Sequence, residues 1–206
     1  MERRWHGTAI LVGTLLVGGW ANRLHGESAR WYEAKPQVVS SRDANAKAAD
    51  PSDFAALPGF QVERLFTVPK DTLGSWVCLT RDDKGRLLVS DQEKQGLCRI
   101  TPTPRGSDAA TKVEHLAVPI SSAQGMVYAF GGLYLAVNAG AETGLYRARD
   151  TNGDDQFDEV VKLKSFPAAG EHGLHALKLS PDGKSIFMLC GDHTDPPFTS
   201  GESLSA

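Results

Sequence analysis

The stretch that decides the fold is Glu171-His-Gly-Leu-His-Ala-Leu-Lys-Leu-Ser-Pro-Asp-Gly-Lys-Ser-Ile-Phe-Met-Leu-Cys-Gly-Asp192. It contains two short apolar runs, residues 176–179 and 185–190, which are separated by a Ser-Pro-Asp-Gly turn. Turn residues between two such runs predict an antiparallel β-hairpin. Two histidines, His172 and His175, stand where the first strand of this hairpin begins.

The same order of residues occurs twice earlier in the chain. Gly-Arg-Leu-Leu-Val-Ser-Asp (85–91) precedes Gly-Leu-Cys-Arg-Ile (96–100), and Gly-Leu-Tyr-Leu-Ala-Val-Asn (132–138) precedes Gly-Leu-Tyr-Arg-Ala (144–148). From Gly85 to Gly132 the offset is 47 residues, and a third copy begins 51 residues later, at Gly183. Short strands and glycine turns at this period are typical of propeller blades, so we predict an all-β fold, a β-propeller. The first strands of its blades are expected near residues 76–79, 126–129 and 176–179.

Two other architectures were weighed against the propeller. The repeat disfavours a β-sandwich, and the absence of a long amphipathic pattern after Asp53 disfavours a helical solenoid. About three blades fit the sequence, whereas closed propellers have typically four to eight. An incomplete ring would leave strand edges and apolar faces in water. We therefore expect an N-terminal fragment of a longer protein, or a product that needs a partner to close it.

The N-terminal region has the pattern of an export segment. Arg3 and Arg4 precede an apolar run at residues 8–21, which is shorter than the roughly 20 residues of a comfortable membrane span. Residues 1–21 are predicted to be a signal peptide or an uncleaved anchor, the one expected membrane contact. The protein is accordingly expected to be exported, to the periplasm or the extracellular space. Residues 22–53 are expected to form a flexible linker and residues 54–206 the partial propeller, starting with a strand through Phe60, Val62 and Leu65.

Composition excludes some classes of partner. The net charge is −3 and no block of lysine or arginine is present, so a nucleic-acid partner is not expected. Cys78, Cys98 and Cys190 match neither a zinc site nor the C-x-x-C-H haem attachment motif. Buried, unpaired cysteines are the default interpretation, with one disulfide as the alternative.

An acidic loop is the first candidate site. Oxygen-bearing side chains at loop positions one, three, five and nine, with a carbonyl at seven, follow the spacing of a calcium loop of the EF-hand type. Position six holds Asp155 instead of glycine, and position twelve holds Val161 instead of glutamate, with Glu159 as a substitute ligand. The alternative is an Asx-rich turn without metal. The predicted ligands are Asp150, Asn152, Asp154, Gln156 and Asp158.

The histidines are the second candidate site. Histidine is the side chain best suited to accept a proton near neutral pH, as the oxidation of an alcohol requires. The spacing of His172 and His175 also suits a metal or two hydrogen-bond donors in a pocket. The alternative is a pair of ordinary loop histidines. His193 is a weaker third candidate.

The segment from Asp150 to Asp192 resembles a known family. His-Gly-Leu-His-Ala-Leu-Lys-Leu-Ser-Pro-Asp-Gly, followed by Ile-Phe-Met-Leu-Cys-Gly-Asp, is similar to soluble glucose and aldose-sugar (sorbosone-type) dehydrogenases that use pyrroloquinoline quinone. The whole layout is more similar still to the exported "membrane-bound dehydrogenase" propellers of planctomycete-type bacteria. The resemblance implies a six-bladed ring with the catalytic base at His172. One departure is His175-Ala176, where the family has a Gly-Arg pair.

The resemblance implies an activity for the complete protein, and two alternatives stay open. It implies a dehydrogenase that oxidises a sugar or alcohol with pyrroloquinoline quinone and passes electrons to an acceptor such as cytochrome c. The chain by itself is expected to be inactive, because the residues that hold the quinone lie in later blades. The first alternative is a non-enzymatic binding propeller with a structural calcium loop, and the second is a lactonase-like hydrolase that uses metal-bound water.

Overall fold

The chain folds as antiparallel β-strands with little helix. The computed structural model describes residues 38–39, 50–105, 107, 109–166 and 172–194. Its helical segments are short: Pro51–Asp53, Lys70–Leu73 (α1) and Gly140–Glu142. The strands are β1 (Val38–Val39), β2 (Trp76–Arg81), β3 (Leu87–Asp91), β4 (Leu97–Thr101), β5 (Lys112–Leu116), β6 (Ala123–Ala129), β7 (Gly132–Val137), β8 (Gly144–Arg149), β9 (Glu159–Ser165), β10 (Leu174–Leu179) and β11 (Ile186–Cys190).

The strands form three sheets. The first has the order β1-β5-β4-β3-β2, the second β6-β7-β8-β9 and the third, in its described part, β10-β11. Apart from β1, the strands of each sheet follow one another along the chain and pair antiparallel. The predicted all-β class is confirmed, and the strands expected from the repeat lie at the predicted places.

Glycine turns connect β2 to β3, β6 to β7 and β10 to β11. We call β2, β6 and β10 the first strands of their sheets. Gly85 and Gly183 have φ values of +80° and +70°, and β6 turns into β7 through Phe130 and Gly131, at +52° and +70°. Two successive residues with positive φ match the hairpin turn whose twist suits antiparallel strands. Each first strand also has one register irregularity near its beginning, between Trp76 and Cys78, Ala123 and Gly125, and Leu174 and Leu177.

The sheets pack face to face, with the second sheet in the middle. All six residues of β7 are buried, and they alternate between two cores. Leu133 and Leu135 pack towards Leu88 and Leu116 of the first sheet. On the other face the partners come from the third sheet: Tyr134 and Ala136 pack with Leu174, Leu177 and Met188. A strand buried on both faces explains the nearly continuous apolar run of β7.

A glycine sets the spacing between the second and third sheets. A Cβ atom placed on Gly125 of β6 would lie 1.8 Å from the carbonyl oxygen of His175 in β10. Only glycine allows the two backbones to approach so closely. The first strands therefore lie side by side, with β6 next to both β2 and β10.

The outer face of the first sheet is covered by the segment that leads into β2. Leu73 of α1 packs with Val89, Ile100 and Val113, and the ring of Phe66 joins them. The rings of Phe66 and Trp76 are stacked with centroids 5.6 Å apart. These contacts make residues 66–73 a cover for the core and not a strand of the sheet.

The predicted strand through Phe60, Val62 and Leu65 is wrong. The structure assigns no strand to residues 54–69. Phe60 is 75% exposed, Val62 39% and Leu65 37%. Alternating apolar residues form a strand only when a sheet edge accepts their backbone groups, and in the described part of the chain residues 54–69 pair with none.

The export segment and most of the linker lie outside the described residues. Val38 and Val39 are the exception within residues 22–49, and their backbones pair with Glu114 and Val113 of β5. At the end of the linker, Asp50 caps the Pro51–Asp53 turn by accepting a hydrogen bond from the backbone N–H of Ser52. None of the helices in the described ranges combines the length and the apolar character needed to span a bilayer.

The three cysteines are unpaired. Cys98 and Cys190 are buried, as the default interpretation predicted, and Cys78 is half-buried. Burial, with a smaller contribution from the nearby Asp91 carboxylate, raises the pKa of the Cys98 thiol to about 12. A thiol held in the protonated form is a poor nucleophile and a poor metal ligand, so these cysteines serve packing.

The close approach at Gly125 predicts an unequal response of two glycines to replacement by alanine. Gly125→Ala places a methyl group against the His175 carbonyl and should cost about 1–3 kcal/mol or more, because the two sheets must separate. Gly132→Ala is the matched control, since its Cβ would lie 3.0 Å from its nearest neighbours and should be tolerated better. Urea unfolding followed by circular dichroism measures both, and equal stabilities of the two variants would contradict the close packing.

Candidate functional site

Backbone hydrogen bonds join the sheets at the end where their first strands begin. Ser122, just before β6, donates its N–H to the carbonyl of Asp91 at 2.9 Å, and Ala123 donates to Ser90 Oγ at 3.0 Å. Asn138, just after β7, donates to the carbonyl of Ser122 at 3.0 Å. The ends of β3 and β7 and the start of β6 thus lie together, and we call this the entry end.

Asp91 organises the first sheet at the entry end. Its side chain is buried, and Oδ1 accepts the N–H of Ser75 at 2.6 Å. Oδ2 accepts the N–H groups of Glu93 and Gln95 at 2.9 and 2.8 Å. A carboxylate engaged by three backbone donors is a structural group, which holds the loops on both sides of the strand end. Sequence reasoning missed this role, although Asp91 closes the first repeat copy.

The structure brings His172 together with His193. The two rings meet edge to face, with centroids 5.1 Å apart and an interplanar angle of 86°. His193 donates its backbone N–H to the carbonyl of His172 at 3.1 Å, and Gly191 donates to the carbonyl of Gly173 at 2.8 Å. Both histidines are exposed. His193, the third candidate from the sequence, is therefore the ring neighbour of His172, the predicted base.

Close backbone contacts hold the segments that carry these two histidines. A Cβ atom on Gly191 would lie 2.2 Å from the carbonyl oxygen of His172. One on Gly173 would lie 2.6 Å from Oδ1 of Asn138, at the end of β7. Residues 172 and 173, just before β10, are thus fixed to the second sheet on one side and to the end of β11 on the other, so His172 and His193 belong to the entry end.

His175 has a different environment. It lies inside β10, within the register irregularity between Leu174 and Leu177, and it is half-buried. Its carbonyl faces Gly125 of the second sheet. The sequence pairs His172 with His175. In the structure, the ring of His172 instead contacts the ring of His193, on the other side of the hairpin.

The acidic loop is closed by its own hydrogen bonds. Asp150 accepts the N–H groups of Gly153 and Asp155 at 2.7 and 2.9 Å. Asp154 accepts the N–H of Gln156 at 2.9 Å. Four further bonds complete the loop: Asn152 Oδ1 accepts the Asp154 N–H, Asn152 Nδ2 donates to Asp154 Oδ2, and Asp158 accepts the N–H and hydroxyl of Thr151.

Through these bonds, the side chains of the predicted calcium ligands hold the loop closed. The backbone bond from Thr151, followed by its hydroxyl bond, lowers the pKa of Asp158 below the ordinary value. Oε1 of Gln156 is buried without a hydrogen-bond partner. Within the described residues, no group of three or more histidines, cysteines or acidic residues is arranged to hold a metal ion.

Asp155 joins the loop to the first sheet. It has a φ of +68°, the left-handed conformation for which glycine is usual at this loop position. Its carboxylate accepts Nη1 and Nη2 of Arg86 at 2.5 and 2.8 Å and Nζ of Lys84 at 2.6 Å. The buried Arg99 donates to its backbone carbonyl at 2.7 Å. The bidentate bond from Arg86 is the main cause that holds the pKa of Asp155 well below its usual range.

The two candidate sites lie at opposite ends of the sheets. Val137, the last residue of β7, pairs with Gly144, so β8 starts at the entry end and runs away from it. The acidic loop follows Arg149 at the far end of β8, where it meets Lys84 and Arg86 of the turn between β2 and β3. A cation in this loop would therefore be remote from His172.

The Asp155 contacts predict a pH-dependent contribution to stability. Asp155→Asn keeps a side chain that tolerates positive φ and removes the charge, which should cost about 1–2 kcal/mol near neutral pH because the carboxylate is partly screened by solvent. The lowered pKa means that this contribution is complete above the unfolded value of about 3.9 and is lost as the pH falls through the lower folded value.

Urea unfolding at several pH values tests this prediction. The stability difference between wild type and Asp155→Asn should shrink below about pH 4. Asp154→Asn is the control, since Asp154 lies in the same loop and forms no ion pair with a described residue. A difference that stays constant down to low pH would show that the charge of Asp155 contributes nothing.

Comparisons with known proteins add no name to this geometry. No protein-family model, no curated protein and no solved structure matches the chain. Function is therefore inferred from the residues themselves and from where the fold places them.

Proposed function

We propose that the three sheets are successive blades of a β-propeller. What supports this is the stacking order, in which each first strand lies beside the next and the sheets pack face to face. Equivalent positions of β2, β6 and β10, three residues after the first paired residue of each strand, hold Leu79, Met126 and Leu177. Met126 and Leu177 are only 5% and 9% exposed because a preceding sheet covers them, whereas Leu79 is 59% exposed.

The exposed part of the first sheet, at Leu79 beyond the cover formed by residues 66–73, and the far face of the third sheet fit an open section of a ring. On the far side of the third sheet, Ala176 and Lys178 of β10 are exposed, and Leu189 of β11 is 37% exposed. The corresponding face of the second sheet is covered by the third. In this proposal the described residues form about three blades of a six-bladed ring, and further blades cover Leu79 on one side and Leu189 on the other.

For the complete propeller we propose the oxidation of a sugar or alcohol, with His172 as proton acceptor. The observation that carries this is the position of His172: it is exposed at the entry end, and no described residue forms a hydrogen bond with its ring. A neutral imidazole can take the hydroxyl proton of an alcohol as the hydride leaves the carbon. His193 would orient this ring through the edge-to-face contact and through the backbone bond between the two residues.

In this proposal, the residues that hold the quinone which accepts the hydride lie outside the described residues. Pyrroloquinoline quinone carries carboxylates, which need cationic partners. Lys84, Arg86 and Arg99 already pair with carboxylates at the far end, away from the histidine pair. The Gly-Arg pair of the resembling family is replaced by His175-Ala176. The proposal therefore assigns proton transfer to this chain and leaves the binding of the quinone to other blades.

Export and electron transfer complete the proposal. The Arg3-Arg4 pair and the apolar run at residues 8–21 support export to the periplasm or beyond, with membrane attachment only through an uncleaved anchor. An acceptor such as cytochrome c would reoxidise the quinone there.

A binding propeller without catalysis is the second candidate, and it shares every feature except proton transfer. The lactonase-like hydrolase needs metal-bound water at the histidines, which the acidic loop at the far end is too remote to supply.

Calcium enters this proposal as a structural ion. The oxygens of Asp150, Asp154 and Asp158 that accept one backbone N–H each keep a second lone pair. Those lone pairs are the oxygen donors that Ca²⁺ prefers. Because the loop already closes through its own bonds and through Asp155, calcium would add to its stability without creating its conformation.

Replacing His172 tests the proposed proton transfer. In a protein that carries this chain together with the remaining blades, His172→Ala should lower quinone-dependent turnover roughly a hundred- to ten-thousand-fold, as loss of a general base does. His175→Ala is the control and should have a mild effect, because His175 lies within β10 and makes no ring contact with His172. Steady-state kinetics with an artificial electron acceptor measures both, and equal, mild effects would favour the binding propeller.

Calcium binding is tested by a substitution that keeps the loop turn. Asp154→Asn retains the Oδ1 that accepts the Gln156 N–H and removes one negative charge. Calcium at about ten times its Kd should raise the Tm of the wild type by about 3 °C and that of Asp154→Asn by less. A wild-type Tm that responds neither to calcium nor to a chelator would identify the loop as an Asx turn only.

A further inference from the structure

We propose that Arg147 and Arg149 of β8 form a docking site for an acidic loop of the next blade, which binds there through a carboxylate. The site belongs to the proposed propeller, on which this assignment rests, and it needs no oxidation chemistry. The structure already contains one contact of this kind, between the first sheet and the acidic loop of the second.

That contact shows how one blade holds the next. Arg86 stands directly before β3 and Arg99 lies in β4, and both bind Asp155 in the loop between β8 and β9. The Arg99 side chain, which contacts this loop, is only 4% exposed. A guanidinium can form two parallel hydrogen bonds with one carboxylate. This corner of the first sheet therefore recognises an acidic side chain of the following sheet.

Arg147 occupies in the second sheet the position that Arg99 has in the first. Arg147 pairs with Tyr134 of β7, and Arg99 pairs with Leu88 of β3. In both sheets this is the second pair counted from the far end. Leu145, two residues before Arg147, packs in the core between the second and third sheets. Alternate residues of a strand share a face, so Arg147 faces the next sheet, as Arg99 does.

Arg149 adds a second guanidinium to this corner. Gly132 stands directly before the pairs that join β7 to β8, where the first sheet has Arg86. A Cβ atom on Gly132 would lie 3.0 Å from Cγ of Arg149 and 3.5 Å from Cγ of Arg147. The stems of both arginines therefore pass over this glycine, and Arg149 lies where the first sheet has the side chain of Arg86.

The two arginines lack part of their hydrogen-bond partners. The Nε atoms of both are buried and have no acceptor among the described residues. Arg147 donates Nη2 to Glu159 at 3.1 Å, and no ion pair between described residues involves Arg149. The Arg147 side chain is also 20% exposed. Buried donors without acceptors are costly, and one carboxylate for two guanidiniums leaves a positive charge that an acidic loop complements.

The step from one sheet to the next determines which loop reaches this corner. The loop between the third and fourth strands of the second sheet reaches back to the first sheet. The third sheet packs on the second as the second packs on the first, with β10 beside β6 and β6 beside β2. In the proposed ring, the corresponding loop of the third blade follows β11, outside the described residues, and the same step brings it to Arg147 and Arg149.

A peptide with the sequence of the acidic loop tests the site in the chain itself. The probe is a cyclised Asp-Thr-Asn-Gly-Asp-Asp-Gln-Phe-Asp, the sequence of residues 150–158, because cyclisation lowers the entropy cost of binding. At millimolar concentration it should shift the NMR signals of the Nε–H groups of Arg147 and Arg149. A control peptide with asparagine at the position of Asp155 should bind about five-fold more weakly, the effect of losing one partly exposed ion pair.

Substitutions in the chain separate a built site from general attraction between charges. Arg149→Lys keeps the charge and removes the planar fork, so it should weaken peptide binding, and Arg149→Ala should weaken it further. Arg81→Ala is the control, since Arg81 is exposed on β2, and it should leave the affinity unchanged. Because no described ion pair involves Arg149, its variants should keep the wild-type circular dichroism.

Two results would overturn the docking site. One is the absence of any shift at Arg147 and Arg149 in the wild type, and the other is an equal shift at the exposed Arg81 and Arg105. Peptide binding is measured on the chain alone, so its failure would reject the docking site and leave both the propeller and the proposed oxidation standing.

Discussion

The contact between the backbones of β6 and β10 at Gly125 is the constraint on which the rest of the structure depends. Because no side chain intervenes, the third sheet packs directly against the second, and the small Ala136 of β7 lies buried in the same core. The same approach places the start of β10 against Asn138. The backbone position of His172 therefore follows from a packing constraint in the core.

The two ends of the sheets are held together by different kinds of interaction. At the entry end, the joining bonds run between neutral backbone groups, such as those between Ser122 and Asp91. At the far end, Asp155 binds the side chains of Lys84 and Arg86 through its carboxylate. Salt and acid weaken ion pairs much more than backbone hydrogen bonds. The ion pairs of the loop end are thus the contacts most sensitive to salt, whereas the bonds that join the sheets at the entry end carry no charge on the backbone groups.

The sequence predicted the strands well because their signals are local. Glycine turns and apolar runs recur at positions 85–91 and 132–138, and each copy contains the turn and strand residues that a hairpin needs. The failure at Phe60 has the opposite origin, since alternation there is local but a strand also needs a partner edge. The contact of His172 with His193 depends on the register of β10 and β11, which contains an irregularity that no sequence signal marks. Asp155 is bound by residues about 70 positions earlier, which a local pattern cannot identify.

The separation of the two ends limits how function can be assigned to them. Asp155 forms ion pairs with Arg86 and Lys84 at the far end. These ion pairs fix the loop conformation, which a calcium ion would otherwise have to impose. The entry end has the opposite character: His172 and His193 are exposed, and no described ion pair involves them. The ring nitrogens of His172 form no hydrogen bond with a described residue, so they are available to a ligand. Chemistry in this chain is thus expected at the entry end, and the acidic loop is expected to stabilise the fold.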